Sequence, residues 1–194
     1  MIPVFDGHND FLLRLWMSDA PRTDLVGGAA SGGHMDLPRM REGGFAGGLF
    51  AIFVPSPLEI PFSEINKIMV SPPYDIALPE EISLSQAMGH AIAMAGHLVA
   101  MCREGPEDFA LCRTVADIET AMAVGRIACV MHMEGADAID TDLDALHVLH
   151  SMGLRSLGPV WSRTNAFGHG VPLRFPGSPD TGPGLTDAGK RLVR

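Results

Sequence analysis

Hydrophobic positions along the chain alternate between short β-rich runs and longer stretches at helical spacing. Ile2 to Phe5 is a short apolar, partly β-branched run and reads as a strand. Phe11 to Met17 follows as a short apolar helix or turn. Pro21 to Gly33, rich in Gly and Ala, reads as a mobile loop. Asp36 to Gly44 has Asp near its start, Pro early and Gly at its end, the asymmetry of a short capped helix. Phe45 to Val54 is almost continuously apolar, which predicts a strand buried on both faces, as in a parallel sheet. Ser83 to Arg103 is the strongest helix. Ser83 or Ser85 caps it, Met88, Ile92, Ala95, Val99 and Cys102 form its apolar face, and Gly105-Pro106 stops it. Phe109 to Cys112 reads as a short strand, and Thr114 opens a helix that runs towards Val124. Ile127 to Met133 predicts a strand that runs straight into Glu134-Gly135-Ala136. Asp142 to Met152 is a helix closed by Gly153, Arg155 to Trp161 is a strand, and Thr186 caps a last helix starting near Asp187.

Strand, loop and helix in repetition predict an α/β fold with a parallel sheet. Two stretches stand outside the repeat: a proline-rich excursion loop over 55–82 and a loop over 162–184. Chemistry-bearing residues follow the first strand, the strand before Glu134 and the strand before Ser162. (β/α)8 TIM barrels place their sites in this way, at the carboxyl ends of strands. A full barrel takes eight strands and roughly 250 residues, whereas this pattern supplies about four strands. The expected architecture is a single domain over 1–194, forming about the first half of a barrel.

Bulk composition narrows the function. A hydrophobic content of 46% with 19% charged residues describes a folded domain. The net charge is −9, from 23 acidic against 14 basic residues, and no Lys/Arg run stands out. Nucleic acid and anionic membrane are poor partners for such a chain. Cys102, Cys112 and Cys129 are odd in number and form no CxxC, which gives neither a disulfide framework nor a thiolate zinc site and fits a reducing compartment. No signal-peptide pattern opens the sequence and no apolar run reaches transmembrane length, so a cytoplasmic location is expected.

The chemistry starts at Asp6-Gly7-His8-Asn9-Asp10. Residues two apart on an extended segment point the same way, so His8 and Asp10 project together. An imidazole and a carboxylate held like that suit a zinc-type cation, and manganese or iron as well. A turn histidine beside a capping aspartate is the plain alternative. Glu134 ends a buried-looking strand, where a carboxylate is costly unless it is paired or metal-bound. His132 shares its face and reads as a ligand, a partner behind the ligands, or a satisfied core histidine. His147 and His150 read as a helix flank and His90 and His97 as a helix boundary, while His34 lies in a Gly-rich loop. The loop containing Trp161, Arg163, Asn165 and His169 reads either as a substrate-facing rim or as a loop folded on its own aromatic residues. No GxSxG, P-loop or GxGxxG is present.

Five stretches carry a resemblance. They are DGHND at 6–10, HMDLPRMREGGFAGGLFAIFVP at 34–55, MEGADAI at 133–139, LHSMGLRSLGPVWSRTNAFGHGV at 149–171 and GLTDAGKRLV at 184–193. Together they resemble the membrane dipeptidase (renal dipeptidase) family of metallopeptidases, peptidase family M19, along essentially the whole chain. The resemblance implies a (β/α)8 barrel and hydrolysis of dipeptides by water at a two-zinc site. It makes His8 and Asp10 ligands of one zinc, and Glu134 the catalytic carboxylate that bridges both. It places Trp161, Arg163, Asn165 and His169 on the substrate side and allows a homodimer. The family's two later zinc-binding histidines and its later aspartate have no match within these residues, so the chain is expected to be incomplete and inactive alone. Many members carry a histidine that supports the oxyanion where this sequence has Trp161, whose indole donates one hydrogen bond and cannot become cationic. Other metal-dependent amidohydrolases more often show HxH on the first strand, and a half-barrel that only binds a partner would need no metal.

Overall fold

The computed structural model describes residues 2–30, 32–57, 62–178 and 180–194. Residues 58–61 of the expected excursion loop and Pro179 of the expected 162–184 loop lie outside them. The first elements are β1 (Val4–Asn9), α1 (Phe11–Met17), α2 (Arg22–Gly27), α3 (Leu37–Glu42) and β2 (Phe45–Phe53). Next come α4 (Phe62–Met69), β3 (Tyr74–Ile76), α5 (Leu84–Glu104), β4 (Phe109–Leu111) and α6 (Val115–Ala123). The chain closes with β5 (Ile127–Glu134), α7 (Asp144–Met152), β6 (Leu154–Gly158), β7 (Leu173–Phe175) and α8 (Asp187–Leu192).

Contacts group into two compact units. One comprises Met1–Phe53, His90–Met133 and Val148–Ser156; the other comprises Val54–Gly89, Glu134–His147 and Leu157–Arg194. The division cuts α5, β5, α7 and β6, so Glu134 is placed by the same strand that carries Met133.

The main sheet has the order β1-β2-β5-β4, with β6 also paired to β5. β1 runs parallel to β2, and β4 runs parallel to β5. Two glycines let β2 lie close to its neighbours. A Cβ on Gly47 would come within 2.6 Å of the Ala128 carbonyl oxygen, and one on Gly48 within 2.9 Å of Asp6 Cβ. β2 and β5 are buried along most of their length, through Phe50, Ile52, Ile127, Met131 and Met133, as the unbroken apolar runs require. Helix starts follow capping chemistry. Thr114 Oγ1 accepts from Asp117 N at 3.1 Å while Asp117 Oδ2 accepts from Thr114 N at 2.9 Å, a reciprocal capping box. Asp36 and Thr186 cap α3 and α8 by accepting from Arg39 N and Gly189 N.

Several expectations are corrected. β1 extends to Asn9, beyond the expected end at Phe5, because pairing with β2 resumes at Asn9↔Phe50 after an irregularity at Gly7 and His8. The strand expected over Arg155 to Trp161 is Leu154–Gly158; Pro159 follows and has no N–H to give a ladder. Pro21 to Gly33 contains α2, which Gly28 closes in the left-handed region at φ +80°. On α5 the buried residues are Ala87, Ala91, Met94, Ala95, Leu98 and Met101; of the expected face Ala95 is buried, whereas Ile92 and Val99 are exposed. The apolar arc of this helix is wider than one stripe, with Gln86, His90, His97, Arg103 and Glu104 on the opposite side, and packing buries the other flank of that arc. The 55–82 stretch holds α4 and β3, and β3 pairs antiparallel with β7 through Tyr74↔Phe175 and Ile76↔Leu173. The two expected loops thus share a small sheet.

Cys102, Cys112 and Cys129 are free thiols, and burial pushes the Cys112 thiol up to about 11. Among the described residues no helix is long and apolar enough to cross a membrane.

Candidate metal centre

The site begins where β1 passes into α1. His8 lies on the strand, and Asp10 is the residue that precedes the first turn of α1. His8 and Asp10 are exposed, whereas Asn9 between them is buried, the alternation an extended segment imposes. Asn9 holds this geometry from behind. Its Nδ2 donates to Asp6 Oδ2 at 2.9 Å and to the Leu49 carbonyl at 3.3 Å, and its Oδ1 accepts from Phe11 N at 3.3 Å. Asn9→Ala would leave three groups short of a partner. It is expected to destabilise the full protein by about 1–3 kcal/mol in urea unfolding, with unchanged stability as the contrary result.

Glu134 is the last residue of β5 and is half-buried. The chain turns at once through Gly135, whose φ is +88°. Gly135 N donates to the Gly158 carbonyl at 2.9 Å and Ala136 N to the Pro159 carbonyl at 3.0 Å, so the backbone on the far side of Glu134 is held too. A side chain at Gly135 would be strained at that φ and would also meet Asp137 Oδ2 at 2.6 Å.

His8, Asp10 and Glu134 each offer a ligand atom, and these atoms lie within 4.8 Å of one another. They are the group of this kind found among the described residues. His8 Nε2 and Asp10 Oδ1 stand 3.5 Å apart. Two ligands of a tetrahedral zinc-type ion stand about 3.4 Å apart, so this separation already fits an ion between them. One imidazole and two carboxylates are a donor set for zinc, manganese or iron. The residues present therefore fit a divalent metal.

Residues 1–194 match the family model of the membrane dipeptidases, peptidase family M19. The chain belongs to this family. Among solved M19 relatives, the metallopeptidase of Rhodobacter sphaeroides liganded with a phosphinate mimic of the dipeptide L-Ala-D-Ala superposes with a TM-score of 0.95. It is 58% identical, and the match covers 99% of this chain and 55% of that one. The M19 metallopeptidase dipeptidase AC gives a TM-score of 0.93 at 58% identity, with 99% and 54% covered. An uncharacterized protein in the PQQ-III 3' region of Acinetobacter calcoaceticus is 41% identical over 203 residues, which are 100% of this chain and 59% of that protein. Dipeptidase ataJ of Aspergillus terreus is 25% identical, with 92% and 40% covered. The chain thus spans between 40% and 59% of the length of these relatives. Its sheet is about half of the TIM-barrel-like fold of M19 dipeptidases, as the strand pattern predicts.

The expected substrate-side residues divide. Arg163 is buried, and each of its three guanidinium nitrogens has a partner. Nε pairs with Asp137 Oδ1 at 3.0 Å, Nη1 donates to Ser56 Oγ at 2.6 Å and Nη2 to the Val54 carbonyl at 3.0 Å. Asn165 is buried as well. Its Nδ2 donates to the Pro159 carbonyl and its Oδ1 accepts from Phe167 N and Gly168 N, which folds the loop on itself. Arg163 thus ties its loop to Asp137, Ser56 and Val54, while Asn165 bonds within and just before its own loop. Trp161 is half-buried and His169 exposed. Of the other histidines, His90 packs edge-on to Trp16 at 4.8 Å and His97 Nδ1 meets Arg22 Nη1 at 3.4 Å.

His132 stands beside the triad. Its ring meets that of His8 edge-to-face, with centroids 5.6 Å apart, and its Nδ1 is 2.9 Å from Ser156 Oγ. Burial first, and then the neighbouring His8, hold His132 below the ordinary imidazole range. The residues that sequence reading missed are Asn9, Ser56, Asp137 and Ser156. Asn9 and Asp137 lie inside the two motifs, yet their types alone do not separate a clamp from a turn residue.

Proposed function

We propose that the protein is a zinc-dependent dipeptidase and that residues 1–194 furnish the first part of a two-zinc site. The observation that carries this reading is the convergence of His8, Asp10 and Glu134. Membership of M19, whose solved relatives are metallopeptidases named as dipeptidases or bound to a dipeptide mimic, supports it. In this reading His8 and Asp10 would hold one zinc and the Glu134 carboxylate would serve both. The chemistry that two divalent ions supply in such a site is a water acidified towards neutral pH and a polarised peptide carbonyl. Asn9 keeps His8 and Asp10 directed to the same side, and Gly135 lets the chain turn away directly after Glu134. Substrate contact falls to Trp161 and His169, and loop shaping to Arg163 and Asn165. An indole where many relatives have a histidine leaves oxyanion support to the metals and other donors. The remaining ligands come from outside these residues. β1 stands at one end of the strand order and exposes Val4 and Phe5, which is consistent with an edge open to further pairing. The free cysteines support a cytoplasmic location.

The test uses the full protein. Zinc content by mass spectrometry is expected at two ions per protomer. Dipeptides, including one with a carboxyl-terminal D-residue, are expected to be cleaved, with activity lost to a chelator and restored by zinc. Cleavage of N-acyl amino acids or cyclic amides in place of dipeptides would favour the wider amidohydrolase reading. A protein without metal and without turnover would favour a binding role.

A further inference from the structure

We infer that His132, anchored by Ser156, is a positioning residue for the metal ligand His8, an inference that rests on the metal-site reading of His8, Asp10 and Glu134. Three strands meet in this arrangement. Ser156 lies on β6, His132 on β5 and His8 on β1. The His132 ring is tied at Nδ1 to Ser156 Oγ at 2.9 Å, which fixes its rotation about the Cβ–Cγ bond. The fixed ring then meets the His8 ring at an interplanar angle of 80° and a centroid separation of 5.6 Å, the favoured geometry for an edge-to-face pair. His8 has 38% of its side chain exposed, and the His132 ring limits rotation of its imidazole on the covered side.

A ligand whose ring is already oriented loses less freedom when a metal arrives. Groups that orient a ligand histidine from behind typically change metal affinity by about 10- to 100-fold. The usual device is a hydrogen bond to the ligand's second nitrogen. Here the orienting contact is an edge-to-face ring pair, and the hydrogen bond lies one residue further back. His132 itself is not among the three residues whose donor atoms come within 4.8 Å of one another, which separates its role from that of a ligand.

The test is metal affinity in the full protein, by competition with a chromophoric chelator for zinc and for cobalt. Ser156→Ala removes the anchor, and His132→Phe keeps an aromatic ring but removes the anchored nitrogen. Each is expected to weaken metal binding by about 10- to 100-fold. The double variant is expected to be no weaker than the worse single one, because both break the same bond. Ser156→Thr, which keeps the hydroxyl on a strand, is expected to restore wild-type affinity. The gain in Tm on adding metal should shrink in step with the affinity. Unchanged affinity with a lowered Tm of the metal-free variants would overturn the inference and leave His132 a packing residue. So would losses that add in the double variant. A wild-type protein that binds no metal removes the metal-site reading together with this one, whereas a metal-binding, dipeptide-cleaving wild type with insensitive variants removes this one alone.

Discussion

Glu134→Gln is expected to reduce dipeptide hydrolysis by the full protein by about 10³-fold or more. Metal ions contribute several kcal/mol to such transition states, and each 1.36 kcal/mol is a factor of ten in rate. The substitution keeps the shape of the side chain and the turn at Gly135 but removes the negative charge that draws cations to the end of β5. A carboxylate that spans two ions affects both, so a metal titration should show both zincs weakened together. His8→Ala and Asp10→Ala bear on one ion, and the other should be retained more tightly in those variants than in Glu134→Gln. The deciding measurement is zinc stoichiometry against free zinc concentration for the three variants. Loss of a single zinc from Glu134→Gln, with the second bound as in wild type, would contradict the bridging role. Activity that survives all three substitutions would remove the hydrolytic reading at this site.

Arg163→Ala should be the most destabilising single change in the loop that follows β6, at about 3–5 kcal/mol. The side chains of Arg163 and Asp137 are 3% and 4% exposed, so removing the guanidinium leaves a carboxylate buried without its charge partner. Ser56 Oγ and the Val54 carbonyl lose their donor in the same step. Asp137→Ala should cost a similar amount, since it strands the cation instead. Arg163→Lys should recover little of the loss, because an ammonium is a single point charge and cannot reproduce a planar fork that reaches three acceptors at once. Urea unfolding of the full protein gives the values. A double Arg163→Met, Asp137→Leu variant should be more stable than either alanine variant, because no lone charge then remains inside. An Arg163→Ala protein as stable as wild type would show that the clamp carries nothing, and would return Arg163 to the substrate-facing rim.

Much of the sheet was legible because a parallel strand buried on both faces needs a continuous apolar run. Phe45 to Val54 and Ile127 to Met133 are such runs, and both are strands. The capped helices were legible for a local reason as well. Thr114, Asp36 and Thr186 bond backbone groups within three residues of themselves, so their signal lies entirely in nearby sequence. Short elements held by distant partners carried no such signal. β3 and β7 are three residues each and exist as strands through pairing with each other. The face of α5 was legible only in part, through Ala95, because its apolar arc is wider than one stripe and only the packed structure chooses which flank is buried.

The candidate site divides along the same line. The amino-acid sequence by itself determined that His8 and Asp10 project together, since that follows from alternation along one strand, and that Glu134 ends a buried run. Bringing Glu134 to within 4.8 Å of the other two donors needed the tertiary structure, because β1 and β5 are joined through β2 in the sheet. The tertiary structure also decided that Arg163 serves Asp137, 26 residues earlier in the chain, and that His132 leans on Ser156 and His8. Local sequence encodes which way a side chain leaves its own backbone. Which partner satisfies a buried charge or an imidazole depends on strands that meet only once the chain has folded.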